Sequence, residues 1–219
     1  MNLSGIIYTG ISSANWYYNT LHTLHQNREG GDSTFPFIGL QTNFEPINEL
    51  LPHRMKDAAK LLEPYFLKME QITNDSYILA NITLHECLEY FSTKPKKFIS
   101  IATILQNEID SFQGRIGILG TNYTMTNSYI PSLLPKVEFY KLPTEMTQQI
   151  DDLRKIFLTK NDVITANKVF NELKKYPMDT WLIACTELSV AFDSVADQSL
   201  TIINLPKLQI EYLIRKQHI

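Results

Sequence analysis

The feature that most constrains the fold is an alternation of short apolar runs with longer stretches of helical spacing. Three longer stretches, residues 55–69, 145–158 and 163–173, carry apolar side chains three and four positions apart, which is typical of amphipathic helices. Most of the short runs lack polar/apolar alternation and therefore indicate strands buried on both faces. The pattern predicts an α/β fold with mostly parallel sheets flanked by helices. The eight predicted strands are residues 6–8, 37–40, 77–80, 98–101, 116–119, 137–140, 181–184 and 201–204.

The residues that follow four of the predicted strands form a weak internal repeat. Gly10-Ile11-Ser12 and Gly120-Thr121-Asn122 each place a glycine and then hydroxyl or amide side chains after a strand. Asn81-Ile82-Thr83 follows the first segment by 71 residues, and Cys185-Thr186-Glu187 follows the second by 65. We therefore expect two similar α/β lobes, residues 1–99 with 205–219, and residues 100–204. Because ligands bind at the carboxyl ends of parallel strands, we expect the active site in the cleft between the lobes.

The charge balance and the amino-terminal segment limit the expected partners and compartment. The chain has 20 Lys and Arg residues against 23 Asp and Glu, without a block of like charge, so neither nucleic acid nor a membrane surface is an expected partner. The first 27 residues lack charged side chains, but they also lack a basic segment and a run of about 20 apolar residues. We expect a cytoplasmic protein in which Cys87 and Cys185 do not form a disulfide.

The two cysteines differ in their predicted surroundings. Cys185 ends an apolar run and precedes the acidic first turn of a predicted helix, where the helix dipole lowers the pKa of a thiol. A small buried apolar residue is the alternative at that position. Cys87 lies in a predicted helix striped by Leu84, Leu88 and Phe91, which favours a core residue. We expect Cys185 to have the lower pKa and to react with iodoacetamide first.

Metal and nucleotide motifs are missing from the sequence. The segment that begins at His85-Glu86 lacks the second histidine of His-Glu-x-x-His, and His22 with His25 has no third ligand nearby. The glycines of residues 114–120 fit neither the dinucleotide fingerprint nor the P-loop. The sequence therefore predicts no metal site and disfavours a nicotinamide or ATP enzyme.

Five short segments, taken in chain order, resemble motifs of the aspartate/glutamate racemase family. The segments are Gly10-Ile11-Ser12, Tyr17-Tyr18, Gln41-Thr42-Asn43-Phe44, Gly120-Thr121-Asn122-Tyr123-Thr124-Met125 and Cys185-Thr186-Glu187. They are similar to the family's Gly-Met-Ser, Tyr-Tyr, Ser-Val-Asp-Phe, Gly-Thr-x-x-Thr-Met and Cys-Thr-Glu, and the last match is complete. The resemblance covers nearly the whole chain. It implies two α/β lobes, no cofactor, and the homodimer that is common in the family.

The first lobe departs from the family's motif. Where the family usually has Cys-Asn-Thr-x-His, this chain has Asn81-Ile82-Thr83-Leu84-His85. The resemblance implies that two cysteines flank the α-carbon of an amino acid, one removing the proton and the other returning it on the opposite face. Here Asn81 stands in the place of the first cysteine. Asparagine is no proton donor near neutral pH, although its amide can orient a water molecule or bind an enolate-like oxygen.

The resemblance and the chemistry of strand ends together indicate the substrate-binding residues. Hydroxyl and amide groups at helix starts bind carboxylates, although Ser and Thr at such positions are also common helix caps. Arg54 is the expected cation for a distal carboxylate, with a solvated side chain as the alternative. The other predicted binding residues are Ser12, Thr83, Thr121, Asn122, Thr124 and Thr186.

Three functions remain open from the sequence. The first is a cofactor-independent racemase of aspartate, glutamate or another amino acid, an isomerase in which Cys185 transfers the α-proton and Asn81 occupies the other catalytic position. The second is a cofactor-free decarboxylase or another carbanion enzyme with a single cysteine, which protonates one face. The third is a catalytically inactive relative that binds a small carboxylate or a protein partner.

Overall fold

The computed structural model describes residues 2–195 and 199–217. These residues form two compact units. The first comprises the described parts of Met1–Ile104 and Lys207–Ile219, and the second is Leu105–Pro206. Each unit contains one parallel sheet flanked by helices, so the predicted α/β class with two lobes is confirmed. No helix among these residues is both long enough and apolar enough to cross a membrane.

The sheet of the first unit has three parallel strands in the order β2-β1-β3. Its central strand is buried along its whole length, as the apolar run predicted. Ile6 is paired with Gly39 on one side and Ile78 on the other. In chain order the elements are β1 (Ser4–Tyr8), α1 (Ile11–Glu29), β2 (Phe37–Gln41), α2 (Glu45–Asn48), α3 (Met55–Ile72), β3 (Tyr77–Leu79) and a 3₁₀ segment (Thr83–Tyr90).

The sheet of the second unit has four parallel strands in the order β5-β4-β6-β7. The ring of Trp181 lies against Gly117 on the neighbouring strand, where a Cβ atom would clash with the ring. The elements from the end of the first unit onward are α4 (Ile101–Asn107), a short 3₁₀ turn (Ile109–Ser111), β4 (Arg115–Leu119), α5 (Asn122–Asn127), α6 (Ile130–Leu133), β5 (Glu138–Tyr140), α7 (Thr144–Thr159), α8 (Val163–Leu173), β6 (Thr180–Ile183), α9 (Thr186–Ser194), β7 (Ile202–Asn204) and α10 (Leu205–Gln217). The chain enters this unit within α4 and leaves it within α10.

Seven of the eight predicted strands are confirmed, and the strand predicted at residues 98–101 is wrong. Only Phe98 forms a bridge, to Tyr77, and α4 begins at Ile101. The side chain of Ser100 accepts a hydrogen bond from the amide of Thr103 at 3.1 Å. This serine therefore acts as a helix cap and ends the extended run.

The helix predicted after β3 is present, but its hydrogen bonds are not those of an α-helix. It is a 3₁₀ helix over Thr83–Tyr90, and the amide of His85 donates to the carbonyl of Ile82 three residues earlier. In a 3₁₀ helix, residues three apart lie on the same side. Leu84 and Cys87 have this spacing, and both are fully buried.

Candidate functional site

Cys185 lies at the carboxyl edge of the second sheet, between β6 and the start of α9. Its backbone is extended and its carbonyl accepts a hydrogen bond from the amide of Ser189, so it is the residue that caps the helix. The end of β4 is adjacent, because the amide of Ala184 donates to the carbonyl of Leu119 at 2.8 Å. The predicted position of Cys185 at a strand end and helix start is therefore confirmed. The residue is 7% exposed.

The nearest charged partner of Cys185 is Glu187 in the first turn of α9. The thiol donates a hydrogen bond to the Glu187 carboxylate, with an Sγ to Oε2 distance of 2.8 Å. Burial raises the pKa of Cys185 well above its ordinary value, and the charge and hydrogen bond of Glu187 raise it further. Arg154 and the amide of Leu188 act in the opposite direction and are outweighed. The prediction of a lowered thiol pKa is wrong, because the helix terminus competes with burial and an adjacent carboxylate.

Two charged residues of α7, Asp151 and Arg154, belong to the same part of the second unit, and neither was predicted from the sequence. Arg154 Nε lies 2.9 Å from Asp151 Oδ1, and the other Asp151 oxygen lies 2.8 Å from the Lys155 ammonium. The side chain of Arg154 is 18% exposed and that of Asp151 is 9% exposed. The pKa of Arg154 is raised although burial lowers it, because the charges of Cys185, Asp151 and Glu187 all favour the guanidinium. Arg154 therefore acts electrostatically on both α9 residues.

A signal for Asp151 was present in the sequence. The buried apolar residues of α7 are Met146, Ile150, Leu153 and Phe157. Asp151 lies among them, and a carboxylate on the buried face of a helix needs a charged partner. Arg154 follows three residues later, at a spacing that pairs side chains on a helix.

The threonines after β4 form a helix cap. Thr121 Oγ1 accepts a hydrogen bond from the amide of Thr124 at 3.0 Å, and the two hydroxyl oxygens are 2.8 Å apart. Gly120 permits this approach, because a Cβ atom there would lie 2.8 Å from Thr124 Cβ. The amide of Asn122 donates to Asp151 Oδ1 at 3.3 Å, which connects α5 to α7. Thr186, the first residue of α9, is buried.

In the first unit, Asn81 lies between β3 and the 3₁₀ segment and hydrogen-bonds to the first turn of that segment. Its Oδ1 accepts a hydrogen bond from the amide of Leu84 at 3.0 Å, and its Nδ2 lies 3.4 Å from Thr9 Oγ1. The hydroxyls of Thr9 and Ser13 both donate to the carbonyl of Ala80. The amide oxygen of Asn81 is thus engaged in local structure.

The neighbours of Asn81 in the motif have different surroundings. Ile82, at the position of the family's asparagine, is 3% exposed. Thr83 begins the 3₁₀ segment and is half-buried, whereas Ser12 in the first turn of α1 is exposed. The hydrophobic replacement is therefore part of the packing of this unit.

His85 and Cys87 are buried structural residues. His85 Nδ1 accepts a hydrogen bond from the amide of Ile101 at 3.2 Å, and complete burial lowers the pKa of the imidazole to about 3. Burial raises the pKa of Cys87 to about 12, with the charge of Glu86 adding to the effect. The prediction that Cys87 is a core cysteine is confirmed.

Arg54 is an exposed residue that forms an ion pair. It immediately precedes α3, and its guanidinium lies 2.8 Å from Asp57 Oδ2. Its side chain is 64% exposed, and Lys60 shares the same carboxylate. Arg54 therefore has the solvated side chain that was the alternative to a role in binding a distal carboxylate. Residues 2–195 and 199–217 contain no group of three or more His, Cys, Asp or Glu side chains that could hold a metal ion.

Solved structures of racemases share this architecture. An aspartate racemase from Picrophilus torridus has a TM-score of 0.78 and 17% identity over 98% of this chain and 94% of that chain. An aspartate racemase homologue from Pyrococcus horikoshii OT3 has a TM-score of 0.71 and 17% identity over 98% of both chains. A glutamate racemase from Francisella tularensis, solved in complex with D-glutamate, has a TM-score of 0.60 and 15% identity over 99% of this chain and 80% of that chain.

The chain has the fold of the aspartate/glutamate racemases. The fold expected from the motif resemblance is therefore confirmed. No protein-family model and none of the curated proteins matches the sequence.

Within this racemase fold, the predicted site residues other than Arg54 lie shortly after strand ends in the two units. In the second unit they lie at the ends of β4 and β6, in the same part of the unit as Asp151 and Arg154, and are Thr121, Asn122, Thr124, Cys185 and Thr186. In the first unit Asn81 and Thr83 follow β3, and Ser12 lies in the helix after β1. Arg54 is paired on α3 instead.

Proposed function

We propose that this chain catalyses cofactor-independent proton transfer at the α-carbon of a small carboxylate, with Cys185 as the group that exchanges the proton. The supporting observation is the hydrogen bond from the Cys185 thiol to the Glu187 carboxylate at the end of β6. An acidic amino acid is the first substrate class, because a glutamate racemase of the same fold was solved with D-glutamate. The proposed carboxylate-binding residues are Ser12, Thr83, Thr121, Asn122, Thr124 and Thr186.

In the proposed exchange, the Cys185 thiol first loses its proton to solvent, the thiolate removes the α-proton, and the thiol returns a solvent-derived deuteron to the same face of the substrate. A positioned acid or base contributes about 10²- to 10⁴-fold to such a step. Asn81 occupies the other catalytic position of the resembling racemases, and its amide oxygen already accepts the Leu84 amide. An amide does not ionise near neutral pH. We therefore expect α-proton exchange that outpaces racemisation.

The test is α-deuteration of amino acids in D₂O, followed by proton NMR. Each enantiomer of aspartate and glutamate is incubated with the native protein, with Cys185→Ala and with the matched control Cys87→Ala. The proposal predicts loss of the α-proton signal of at least one compound with native protein and Cys87→Ala, and not with Cys185→Ala. Exchange that is absent, or equal in the Cys185→Ala protein, contradicts it.

A second candidate, a cofactor-free decarboxylase, is favoured by the buried, protonated thiol. In this reaction the bond between the α-carbon and a carboxylate breaks and CO₂ leaves, while the electron pair remains on the α-carbon. Cys185 gives its proton to that carbon, and solvent reprotonates the thiolate. The apolar Ile82 in place of an asparagine is compatible with a less polar substrate. CO₂ release from a panel of substituted malonates tests this candidate. The absence of CO₂ release from every compound contradicts it.

A catalytically inactive relative that binds a carboxylate makes different predictions. A ligand then raises the melting temperature of both native protein and Cys185→Ala, with no exchange and no CO₂ release in either. Ligand binding and turnover that both disappear in Cys185→Ala contradict this alternative.

The homodimer also belongs to the proposal, and it rests on the family resemblance. Sedimentation at micromolar concentration tests it. A species of the chain mass, 25.3 kDa, contradicts the dimer.

A further inference from the structure

We propose that Arg154 is a positioning residue for Cys185, whose guanidinium, held by Asp151, is the counterion of the thiolate that remains when Cys185 gives up its proton. The inference rests on the proposed role of Cys185 as the reacting group. It assigns a function to a residue of α7 that belongs to none of the motifs described above.

The need for a counterion follows from the Cys185–Glu187 pair. With the thiol protonated, its hydrogen bond to Glu187 is favourable at 2.8 Å. When the proton leaves for a substrate carbon, a thiolate and a carboxylate face each other in largely buried surroundings. Two like charges at that distance disfavour each other strongly. A nearby cation is therefore required if the thiol is to lose its proton during a reaction.

Arg154 meets this requirement by its placement. It is the cation on α7 that interacts with both Cys185 and Glu187, and its side chain is 18% exposed. Among the described residues, the charged groups that act on the thiol are Glu187 from α9 and Arg154 from α7. Leu153, the neighbour of Arg154 on α7, packs in the same buried core cluster as Cys185 and Leu188, so α7 lies against the start of α9.

Asp151 positions the Arg154 guanidinium without neutralising its charge. One Asp151 oxygen binds Arg154 Nε at 2.9 Å and the amide of Asn122 at 3.3 Å. The other oxygen binds Lys155 at 2.8 Å. Lys155 and the Asn122 amide share this carboxylate, so it does not fully neutralise the Arg154 guanidinium. The remaining positive charge can act on Cys185. The link to Asn122 also connects the counterion to the loop after β4.

The experiment measures the rate at which iodoacetamide alkylates Cys185 at a fixed, mildly alkaline pH, with peptide mapping to separate the two cysteines. Arg154→Gln removes the charge and can still donate to Asp151, whereas Arg154→Lys keeps the charge. Glu187→Gln removes the opposing carboxylate. We expect Arg154→Gln to slow alkylation of Cys185 about tenfold and Glu187→Gln to accelerate it about tenfold, since one nearby charge shifts a pKa by about 1 or more. Arg154→Lys should stay near the native rate.

The opposite changes in alkylation rate expected for Arg154→Gln and Glu187→Gln distinguish an electrostatic effect from a change in packing. Loosened packing exposes the thiol and accelerates alkylation in both neutral variants, and it also accelerates Cys87, which serves as the internal control. Changes of the same sign in both variants, or no change in either, overturn the proposal. If Arg154→Gln does not fold, Arg154→Met provides the neutral side chain instead. Alkylation needs no substrate, so a protein without turnover would contradict the proposed function and leave this test in force.

Discussion

The thiol of Cys185, the residue before α9, and the carboxylate of Glu187, in the first turn of α9, share a hydrogen bond of 2.8 Å. Burial and this carboxylate keep the pKa of the thiol above its ordinary value. At neutral pH the thiol is therefore mostly protonated. A helix start usually stabilises the thiolate form of a cysteine, but here the burial and the acidic neighbour oppose that effect.

The first prediction concerns the pH dependence of turnover. Removal of the α-proton needs the Cys185 thiolate, so the exchange rate should rise with pH until the pH passes the pKa of Cys185. Because that pKa is raised, the rate should still be rising above the pH at which an ordinary thiol ionises. Glu187→Gln removes a carboxylate that raises the pKa, so the rise should move to lower pH. A rise that does not move in a folded, active Glu187→Gln protein contradicts the assignment of Cys185 as the base.

The second prediction concerns Asn81. Asn81→Cys supplies the second thiol that the resembling racemases use, and it should raise racemisation relative to α-proton exchange by about 10²-fold or more. Asn81→Ser is the matched control, because a serine oxygen can still accept the Leu84 amide but supplies no thiol. Chiral chromatography of the reaction products measures the gain. Equal racemisation by the two folded variants would show that position 81 is not the second acid–base position.

The third prediction uses the buried His85. Its pKa is about 3 in the folded chain against an ordinary value of 6.5, so between these values the unfolded state binds more protons. Stability is complete above the ordinary value and is lost as the pH falls toward about 3, at up to about 1.4 kcal/mol per pH unit. Urea unfolding at about pH 7 and about pH 5 should show this loss. His85→Asn should reduce it.

The control for this experiment is His53→Asn, because His53 is exposed. It should keep the native pH dependence of the unfolding free energy. The interpretation of His85 as a neutral structural residue fails if His85→Asn is as sensitive to acid as the native protein, or if both variants lose the sensitivity equally.

The fourth prediction concerns Asp151. Burial opposes ionisation of this carboxyl group, but hydrogen bonds from Lys155 and Arg154 outweigh burial and hold its pKa below the usual value. Its contribution is therefore present above the unfolded pKa of about 3.9 and lost as the pH falls below it. Asp151→Asn should lower the unfolding free energy at neutral pH by about 1–3 kcal/mol.

The neighbouring Asp152 provides the comparison for Asp151→Asn. Its side chain is 55% exposed and forms a 3.4 Å ion pair with Lys155. Exposed pairs contribute about 0–1 kcal/mol, so Asp152→Asn should be nearly neutral. Denaturant unfolding that gives equal losses for the two variants would contradict the buried role of Asp151.

Seven strands were predictable because their short apolar runs pair in the parallel sheets, although β2, β5 and β7 are not fully buried. The exception, residues 98–101, has the same composition as the other runs. The run ends because the Ser100 side chain accepts a hydrogen bond from the Thr103 amide. Whether such a serine caps a helix or continues a strand depends on packing in the folded chain, which the local sequence does not show. The position of Cys185 was predictable for a similar local reason, since a buried strand before an acidic helix turn defines it.

The surroundings of Cys185 were not predictable to the same degree. Its pKa depends on burial and on Arg154, which comes from a helix about thirty residues earlier in the chain. No local pattern gives the sum of such opposing effects. The roles of Thr121 and Asn81 were likewise open, because a hydroxyl or amide at a helix start can cap the helix or bind a ligand.

The most direct test of the account compares two rates in one D₂O sample, deuterium incorporation at the α-carbon and appearance of the opposite enantiomer. Native protein and Cys185→Ala are run in parallel on the acidic amino acid that exchanges fastest. The account predicts incorporation that depends on Cys185 and exceeds racemisation by at least about tenfold, since the group at position 81 donates no proton. Incorporation that survives in Cys185→Ala, or racemisation as fast as incorporation, contradicts one-sided proton transfer by Cys185.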